Sequence, residues 1–248
     1  MTWTMLSKDR CILHVDNPDW GASHGLVRDF RLCTRTVSVG PSLYAMRGPA
    51  ALQSMVELRV QVLANMNLHG IAESLTRTVQ VLITEHHLRG VTVAGCLAQD
   101  VMQSVADVVK SEQLFPAYSQ PPRILGAMNP TSKSRNREVR AVVSKARDAG
   151  LHGLLLDFCD LALVRRVWPA ALLVVPARRP PMDTRKRMNR RLRALPGITE
   201  VLTAGADHVL LPDKLLDSYQ ADWQAEMAKK EVEQIYPPEP EQGVKPWE

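Results

Sequence analysis

Short apolar runs rich in Val, Leu and Ile alternate along the chain with longer stretches in which apolar residues recur every three or four positions. The short runs have the length of buried strands, whereas the spacing in the longer stretches is that of one helix face. Four of the helical stretches are clear, at 72–87, 98–112, 136–150 and 160–167. The predicted strands number eight, at 11–16, 36–40, 60–66, 90–95, 123–128, 153–158, 171–176 and 208–212.

The alternation of these strands with helices is typical of an α/β fold in which a parallel sheet closes on itself. We therefore predict a (β/α)8 TIM barrel over residues 1–216. A helical pattern at 213–236 and a Pro-rich tail at 237–248 follow the last strand. We assign 217–248 to a long C-terminal helix and a docking tail, because Trp247 would be an exposed aromatic side chain in a disordered tail.

The composition limits the kinds of site that the barrel can carry. Aromatic residues are only 5% of the chain against 45% hydrophobic residues in all, which suits helices packed over a parallel sheet. The four cysteines, Cys11, Cys33, Cys96 and Cys159, show no C-x-x-C spacing, and "EHH" at 85–87 lacks a further ligand at helical spacing. Glycine-rich nucleotide loops are missing as well. We expect no metal and no cofactor.

The apolar runs also bear on location. None approaches the roughly 20 residues that a membrane span requires. The start "MTWTMLSKDR" lacks the apolar segment of a secretory signal. We therefore expect an intracellular protein with no membrane contact.

Positive charge is concentrated in one segment. The formal net charge is +5, and eight of the seventeen positions in 177–193 are Arg or Lys against one acid, Asp183. Such a run is either a solvated face or a contact with RNA or another polyanion, because Arg pairs with phosphate in fork geometry. The basic residues are Arg178, Arg179, Arg185, Lys186, Arg187, Arg190, Arg191 and Arg193.

Seven stretches occur in the order and near the spacing of a known family, from about residue 11 to about residue 216. They are "LHVDNPDW", "VSVGPSLYAMRGPAAL", "ANMNLHGIAESLTRTV", "VTVAG", "DAGLHGLLLDF", "LLVVPARRP" and "AGADHVLLP". The chain thereby resembles orotidine 5'-phosphate decarboxylases. The resemblance implies a barrel of the ribulose-phosphate-binding type, commonly a homodimer with its active sites at the shared interface.

The same resemblance shows where the chain departs from the family. The family's second strand carries a lysine where this chain has Ser38, and its D-x-K-x-x-D motif falls on Asn65, Asn67 and Gly70. Amides cannot donate a proton at useful acidity, and glycine has no side chain. The family's phosphate-binding arginine is matched by Asp213, which repels an anion. Only Asp16 survives, at the position of the family's substrate-contacting aspartate.

Loss of these charges leads to the first functional hypothesis, a degenerate and inactive barrel. As a non-catalytic pseudoenzyme it would be a structural subunit of a large RNA-containing assembly, such as a mitochondrial ribosome. Its partners would be other protein subunits and RNA bound through 177–193, and a homodimer is possible but not required. This hypothesis favours the mitochondrial matrix over the cytoplasm.

Two alternatives stay open. The chain could be a divergent decarboxylase or sugar-phosphate lyase of the same superfamily with a rebuilt active site, for which Asp16, Asp157 and His69 are candidate residues at strand ends. It could also be a partner-binding module in which the basic segment contacts an acidic protein rather than RNA.

The RNA contact can be tested directly. Reversing the charges of Arg185, Lys186, Arg187, Arg190 and Arg191 is expected to release the chain from RNA, because these charges carry the electrostatic part of the affinity. Gradient sedimentation of a lysate with and without ribonuclease measures this. Unchanged association of the reversed variant would contradict the contact.

Overall fold

Parallel strands close into a barrel, and each lies beside its neighbour in chain order from β1 to β8, which pairs back with β1. The structure is a computed structural model that describes residues 9–31, 33–110, 121–128, 135–178, 195–216 and 221–237. Within these residues the strands are β1 Cys11–Val15, β2 Thr36–Val39, β3 Gln61–Leu68, β4 Gly90–Ala94, β5 Arg123–Ala127, β6 Gly153–Leu155, β7 Leu172–Pro176 and β8 His208–Pro212. The predicted (β/α)8 TIM barrel is confirmed.

Helices follow the strands and cover the barrel from outside. They are α1 Trp20–Phe30, α2 Pro41–Arg47, α3 Pro49–Glu57, α4 Ala72–Thr84, α5 Gln99–Lys110, α6 Arg135–Asp148, α7 Phe158–Val167, α8 Ile198–Thr203 and α9 Ala221–Ile235. Local sequence explains several boundaries. Asp19 caps α1 by accepting a hydrogen bond from the Ala22 N–H, and prolines occupy the first turns of α2 and α3.

The alternation of side chains along each strand separates two apolar clusters. Outward residues such as Leu13, Val37 and Leu173 pack with the helices in one large core. Inward residues fill the barrel as a separate plug, made of Ile12, Leu63, Leu125, Val174 and Leu210 with Leu155 and Leu172 against it. Because the plug fills the middle of the barrel, the two ends of the barrel are separate environments.

The C-terminal helix differs from its predicted extent of 213–236. Asp213–Leu215 forms a single 3-10 turn directly after β8, and α9 begins only at Ala221. Asp213 accepts backbone hydrogen bonds from the end of β1, which holds this turn against the barrel. Buried small residues of α9 then pack on α1, α8 and β1 at helical spacing, namely Ala221, Ala225, Ala228 and Val232. The tail at 238–248 lies outside the described residues.

Two strand ends differ from the sequence-based ones by two residues or more. β3 continues through the two asparagines to Leu68, with a register shift against β4 between Ala64 and Leu68. β6 stops at Leu155, three residues earlier than predicted. Among the helices of the described ranges, none combines the length and the apolar character needed to cross a membrane.

Buried histidines make the stability of the barrel sensitive to acid. His152 accepts a hydrogen bond from the Ile124 N–H at 3.1 Å, and burial lowers its pKa from 6.5 to about 4. Burial also lowers the pKa of His208, whose ring lies 2.7 Å from the Asp9 carbonyl oxygen. The unfolded chain therefore binds protons that the folded chain does not bind between these pKa values.

We expect the free energy of unfolding to be constant above about pH 6.5 and to fall as the pH drops toward 4, with His152 contributing at most about 3 kcal/mol. Urea denaturation across this range measures the slope. His152→Asn, which keeps an acceptor for the Ile124 N–H, is the matched variant and should show a shallower slope. Equal slopes for both proteins would contradict this assignment.

Candidate active site at the carboxyl ends of the strands

A layer of polar side chains lies directly above the apolar plug, at the carboxyl ends of the first four strands. Each strand places a polar residue inward, two positions after the preceding inward residue: His14 on β1, Ser38 on β2, Asn65 on β3 and Thr92 on β4. Ser38 and Thr92 are fully buried. In this fold the carboxyl ends of the strands are where functional groups are held.

His14 is the ionisable member of this layer. Its Nδ1 lies 3.0 Å from Ser38 Oγ. Burial lowers the pKa of His14 from 6.5, while the negative charges of Asp213 and Asp16 act in the opposite direction. The ring is therefore neutral at neutral pH but lies where added negative charge favours its protonation. His14 was not among the site residues predicted from the sequence, although its place in "LHVDNPDW", two residues after Ile12, marks it as inward-facing.

Asp16 is held by the start of α2. Its carboxylate accepts hydrogen bonds from the Ser42 N–H at 2.7 Å and the Ser42 hydroxyl at 3.1 Å. Gly40 is needed for this approach, because a Cβ at that position would lie 2.4 Å from the Asp16 carboxylate. The "VGPS" sequence thus combines a close approach, a proline in the first helical turn and a serine that binds the carboxylate.

Asp213 joins the ends of β8 and β1. Its Oδ2 accepts hydrogen bonds from the backbone N–H groups of Asp16 and Asn17, at 2.8 Å each. Its Oδ1 is buried and has no hydrogen-bond partner within the described ranges. At the position of the family's phosphate-binding arginine, this chain therefore has a structural carboxylate with one unsatisfied oxygen.

The two asparagines behave differently. Asn65 points inward and accepts a hydrogen bond from the Thr92 hydroxyl at 3.1 Å. Asn67 is exposed, its N–H donates to the Thr92 hydroxyl at 3.0 Å, and its φ of 48° lies in the left-handed region that asparagine tolerates. Gly70 has ordinary room for a Cβ, 3.6 Å from Leu75, so close packing does not explain the glycine.

An ion-pair cluster lies after β6. Arg135 at the start of α6 binds Asp160 through two N–O contacts of 2.7 and 2.8 Å, and it contacts Asp157 at 3.1 Å. Asp160 is buried, and these carboxylates raise the pKa of Arg135. Asp157, a candidate site residue predicted from the sequence, is thus a partner of Arg135. The cluster is not visible in the sequence because its members lie 22 and 25 positions apart.

The same two aspartates, together with Cys159, form a group of potential metal ligands. Ligand atoms of Asp157, Cys159 and Asp160 lie within 4.8 Å of one another. The guanidinium of Arg135 already contacts both carboxylates. Because that fixed positive charge occupies the site and repels a cation, we assign no metal to it.

The remaining predicted site residues lie apart from the inward layer. His69 is exposed, one residue beyond the end of β3. Arg178 is partly buried after β7, where its Nε donates to the Leu195 carbonyl oxygen at 2.6 Å. The other basic residues of 177–193 lie outside the described residues, so the RNA contact stays a prediction. These are Arg179, Arg185, Lys186, Arg187, Arg190, Arg191 and Arg193.

Comparison with known proteins bears on the family. No protein-family model matches the chain. A curated orotidine 5'-phosphate decarboxylase of Moorella thermoacetica is 26% identical over 223 residues, 84% of this chain and 85% of the relative. The corresponding protein of Sphingopyxis alaskensis is 23% identical over 178 residues, 68% of this chain and 76% of the relative. The chain is an orotidine 5'-phosphate decarboxylase-like barrel.

Solved structures agree with this decarboxylase-like fold. The orotidine 5'-phosphate decarboxylase of Lactobacillus acidophilus superposes with a TM-score of 0.72 at 15% identity, over 90% of this chain and 99% of its own. The Methanocaldococcus jannaschii enzyme complexed with inhibitor BMP gives 0.71 at 13% identity, over 91% and 99%. An uncharacterized conserved protein from Geobacillus kaustophilus gives 0.69 at 17% identity, over 88% and 99%.

These relatives correct one prediction. The expectation that the chain is not an enzyme is wrong, because both curated relatives are enzymes and each is matched over most of its length. That expectation was based on Ser38, Asn65, Asn67 and Gly70, where the charged residues of the family are missing. The absence of these charges was interpreted as the absence of any catalytic activity. The structure instead places His14, Asp16 and Asp213 together at the same end of this decarboxylase-like barrel.

Substitution of Asp213 separates its structural role from its charge. Asp213→Ala leaves two backbone N–H groups without their acceptor and should destabilise the barrel by about 2–3 kcal/mol. Asp213→Asn keeps an acceptor oxygen and should lose less than about 1 kcal/mol. Urea denaturation measures both variants. Similar losses would show that the charge, rather than the pair of hydrogen bonds, holds β8 to β1.

Proposed function

We propose that this barrel is a divergent lyase, a decarboxylase or sugar-phosphate lyase whose active site has been rebuilt around His14 at the carboxyl ends of the strands. One observation carries the proposal: an inward, ionisable histidine lies beside two carboxylates where this fold holds its functional groups. The similarity to decarboxylases over most of the chain supports the reaction class.

The rebuilt site requires a reaction path different from that of the family. The family's proton-donating lysine and its acidic partners are replaced by amides and glycine. Of these amides, Asn65 already accepts a hydrogen bond from the Thr92 hydroxyl. Neither an amide nor a hydroxyl donates a proton readily to carbon. Among the inward residues of the described strands, His14 is the ionisable side chain next to the carboxylates of Asp16 and Asp213.

His14 supplies the proton that bond cleavage requires. When the carbon–carbon bond breaks, its electron pair stays on the substrate carbon; either carbon dioxide leaves from a carboxylate, or an aldehyde leaves as the hydroxyl on its carbon gives up its proton to solvent. An anionic substrate favours the imidazolium, which donates its proton to that carbon and is then reprotonated from solvent. Ser38 holds the ring through the contact at Nδ1 and thereby fixes its orientation.

Asp213 contributes through the negative charge of its carboxylate, which acts on His14. A substrate carboxylate bound beside His14 is destabilised by repulsion from this charge, and the repulsion disappears as neutral carbon dioxide departs. The substrate anion needs a positive partner elsewhere. Among the described residues that directly follow β7 and β8, the cationic side chains are Arg178 and Lys214.

The test is turnover by the purified chain. Orotidine 5'-phosphate, the compound after which the relatives are named, is assayed for release of carbon dioxide, and a panel of ketose phosphates is assayed for aldehyde. With the substrate that reacts, His14→Gln should lower kcat by roughly 10²–10⁴ with a smaller effect on KM, as expected for loss of a proton donor. Ser38→Ala should have a smaller effect.

His24→Gln on the outer helix α1 is the matched histidine control, and its rate should stay that of the original chain. The pH dependence of kcat should show a group that is lost in the His14 variant. Absence of turnover, together with absence of nucleoside monophosphate binding at millimolar concentration, would overturn the proposal.

A further inference from the structure

A cavity of about 390 Å³ opens at the amino-terminal ends of the strands, opposite the candidate active site. Its volume falls within the range of small-molecule sites. Its walls are formed by the first residues of six strands: Thr36, Gln61, Gly90, Arg123, Leu172 and His208.

The apolar plug separates this cavity from the carboxyl end of the barrel. Ile12, Leu63, Leu125 and Val174 belong to the plug and also line the cavity. They form an apolar floor under a polar rim. A ligand in this cavity therefore has no contact with the layer of His14 and Ser38, and its binding is independent of the function proposed above.

Arg123 on the rim is partly buried, and its guanidinium has no hydrogen bond or ion pair within the part of the chain that the structure describes. Burial without a partner lowers its pKa. A guanidinium in this situation is unfavourable unless an anion pairs with it. Its planar fork of N–H groups matches a phosphate or a carboxylate.

His152 provides a second donor beside Arg123. Because the Ile124 N–H donates to Nδ1 at 3.1 Å, the neutral ring carries its proton on Nε2. The positive charge of Arg123 helps to keep this ring neutral. The Nε2–H has no protein acceptor within the described ranges, and His152 lines the cavity.

The two acids of the rim already have cationic partners. Asp9 lies 3.6 Å from Arg35, and Asp207 accepts from Arg165 at 2.8 Å and from the Leu173 N–H at 2.8 Å. The lining itself carries three arginines, Arg35, Arg89 and Arg123, against these two aspartates. Neither aspartate is therefore a partner of the Arg123 guanidinium.

We propose that the amino-terminal cavity is a binding site for a small organic oxyanion, a phosphate or a carboxylate with a small apolar body. Arg123 and the Nε2–H of His152 bind the anionic group, and the plug contacts the apolar body. Such a ligand stabilises the barrel from the end opposite the candidate chemistry.

Thermal unfolding in phosphate-free buffer tests the site with inorganic phosphate as the probe and acetate as the carboxylate probe. Sodium chloride at equal ionic strength is the control for screening. At a concentration about ten times its Kd, phosphate should raise Tm by about 3–5 °C. A shift with phosphate alone identifies a phosphate site, and a shift with both anions identifies a general oxyanion site.

Arg123→Gln should lose this shift, whereas Arg140→Gln on the exposed face of α6 should keep it. Without phosphate, Arg123→Gln should unfold at the same or a higher temperature than the original chain, because it removes an uncompensated charge. The His152 ring proton resonance should move on phosphate addition in the original chain and stay fixed in Arg123→Gln.

The His14→Gln variant distinguishes this binding site from the proposed lyase function. Phosphate should raise the Tm of this variant as much as that of the original chain, because His14 lies on the other side of the plug. Three results would overturn the site: an equal shift with chloride, an unchanged phosphate shift in Arg123→Gln, or a lower Tm of that variant in phosphate-free buffer. The last would show that Arg123 has a partner within the chain.

Discussion

Closure of β8 onto β1 is the constraint on which the rest of the structure depends. The register that pairs Ile12 with Leu210 and His14 with Pro212 decides which side chains of both strands face inward. Since side chains alternate along a strand, an apolar residue in the plug commits the residue two positions later to the inward layer above it. The hydrogen bonds from Asp16 and Asn17 to Asp213 fasten this closure at the carboxyl end.

The two ends of the barrel have opposite electrostatic character. At the carboxyl end, the negative charges of Asp16 and Asp213 act on the neutral His14. At the amino end, arginines line the cavity and the acids are already paired. The apolar plug lies between them. A molecule at one end of the barrel therefore has no direct contact with the side chains at the other end.

The sequence predicted the barrel because apolar runs and helical periodicity report directly on burial. Strand ends were predicted less well. β3 continues through Asn65 and Asn67 because both residues form hydrogen bonds with the Thr92 hydroxyl on the neighbouring strand β4. Such contacts between strands are not visible in the local sequence. The start of the last helix was wrong because Asp213 is held by β1, nearly two hundred positions away in sequence. Side-chain partnerships across such distances, as between Arg135 and Asp160, require the fold. The expectation that the chain is not an enzyme was wrong for a related reason, because it rested on single positions of a resemblance and not on the residues that the fold brings together.

The contact between His14 and Ser38 also limits which side chains position 38 can hold. Ser38 is fully buried, and its hydroxyl lies 3.0 Å from the imidazole. A lysine introduced there alone would force an ammonium against that ring in a space sized for a hydroxymethyl group. The single substitution Ser38→Lys would therefore be harmful unless position 14 were changed as well. The side chains at positions 14 and 38 are thus coupled, and the residue that one position accepts depends on the residue at the other.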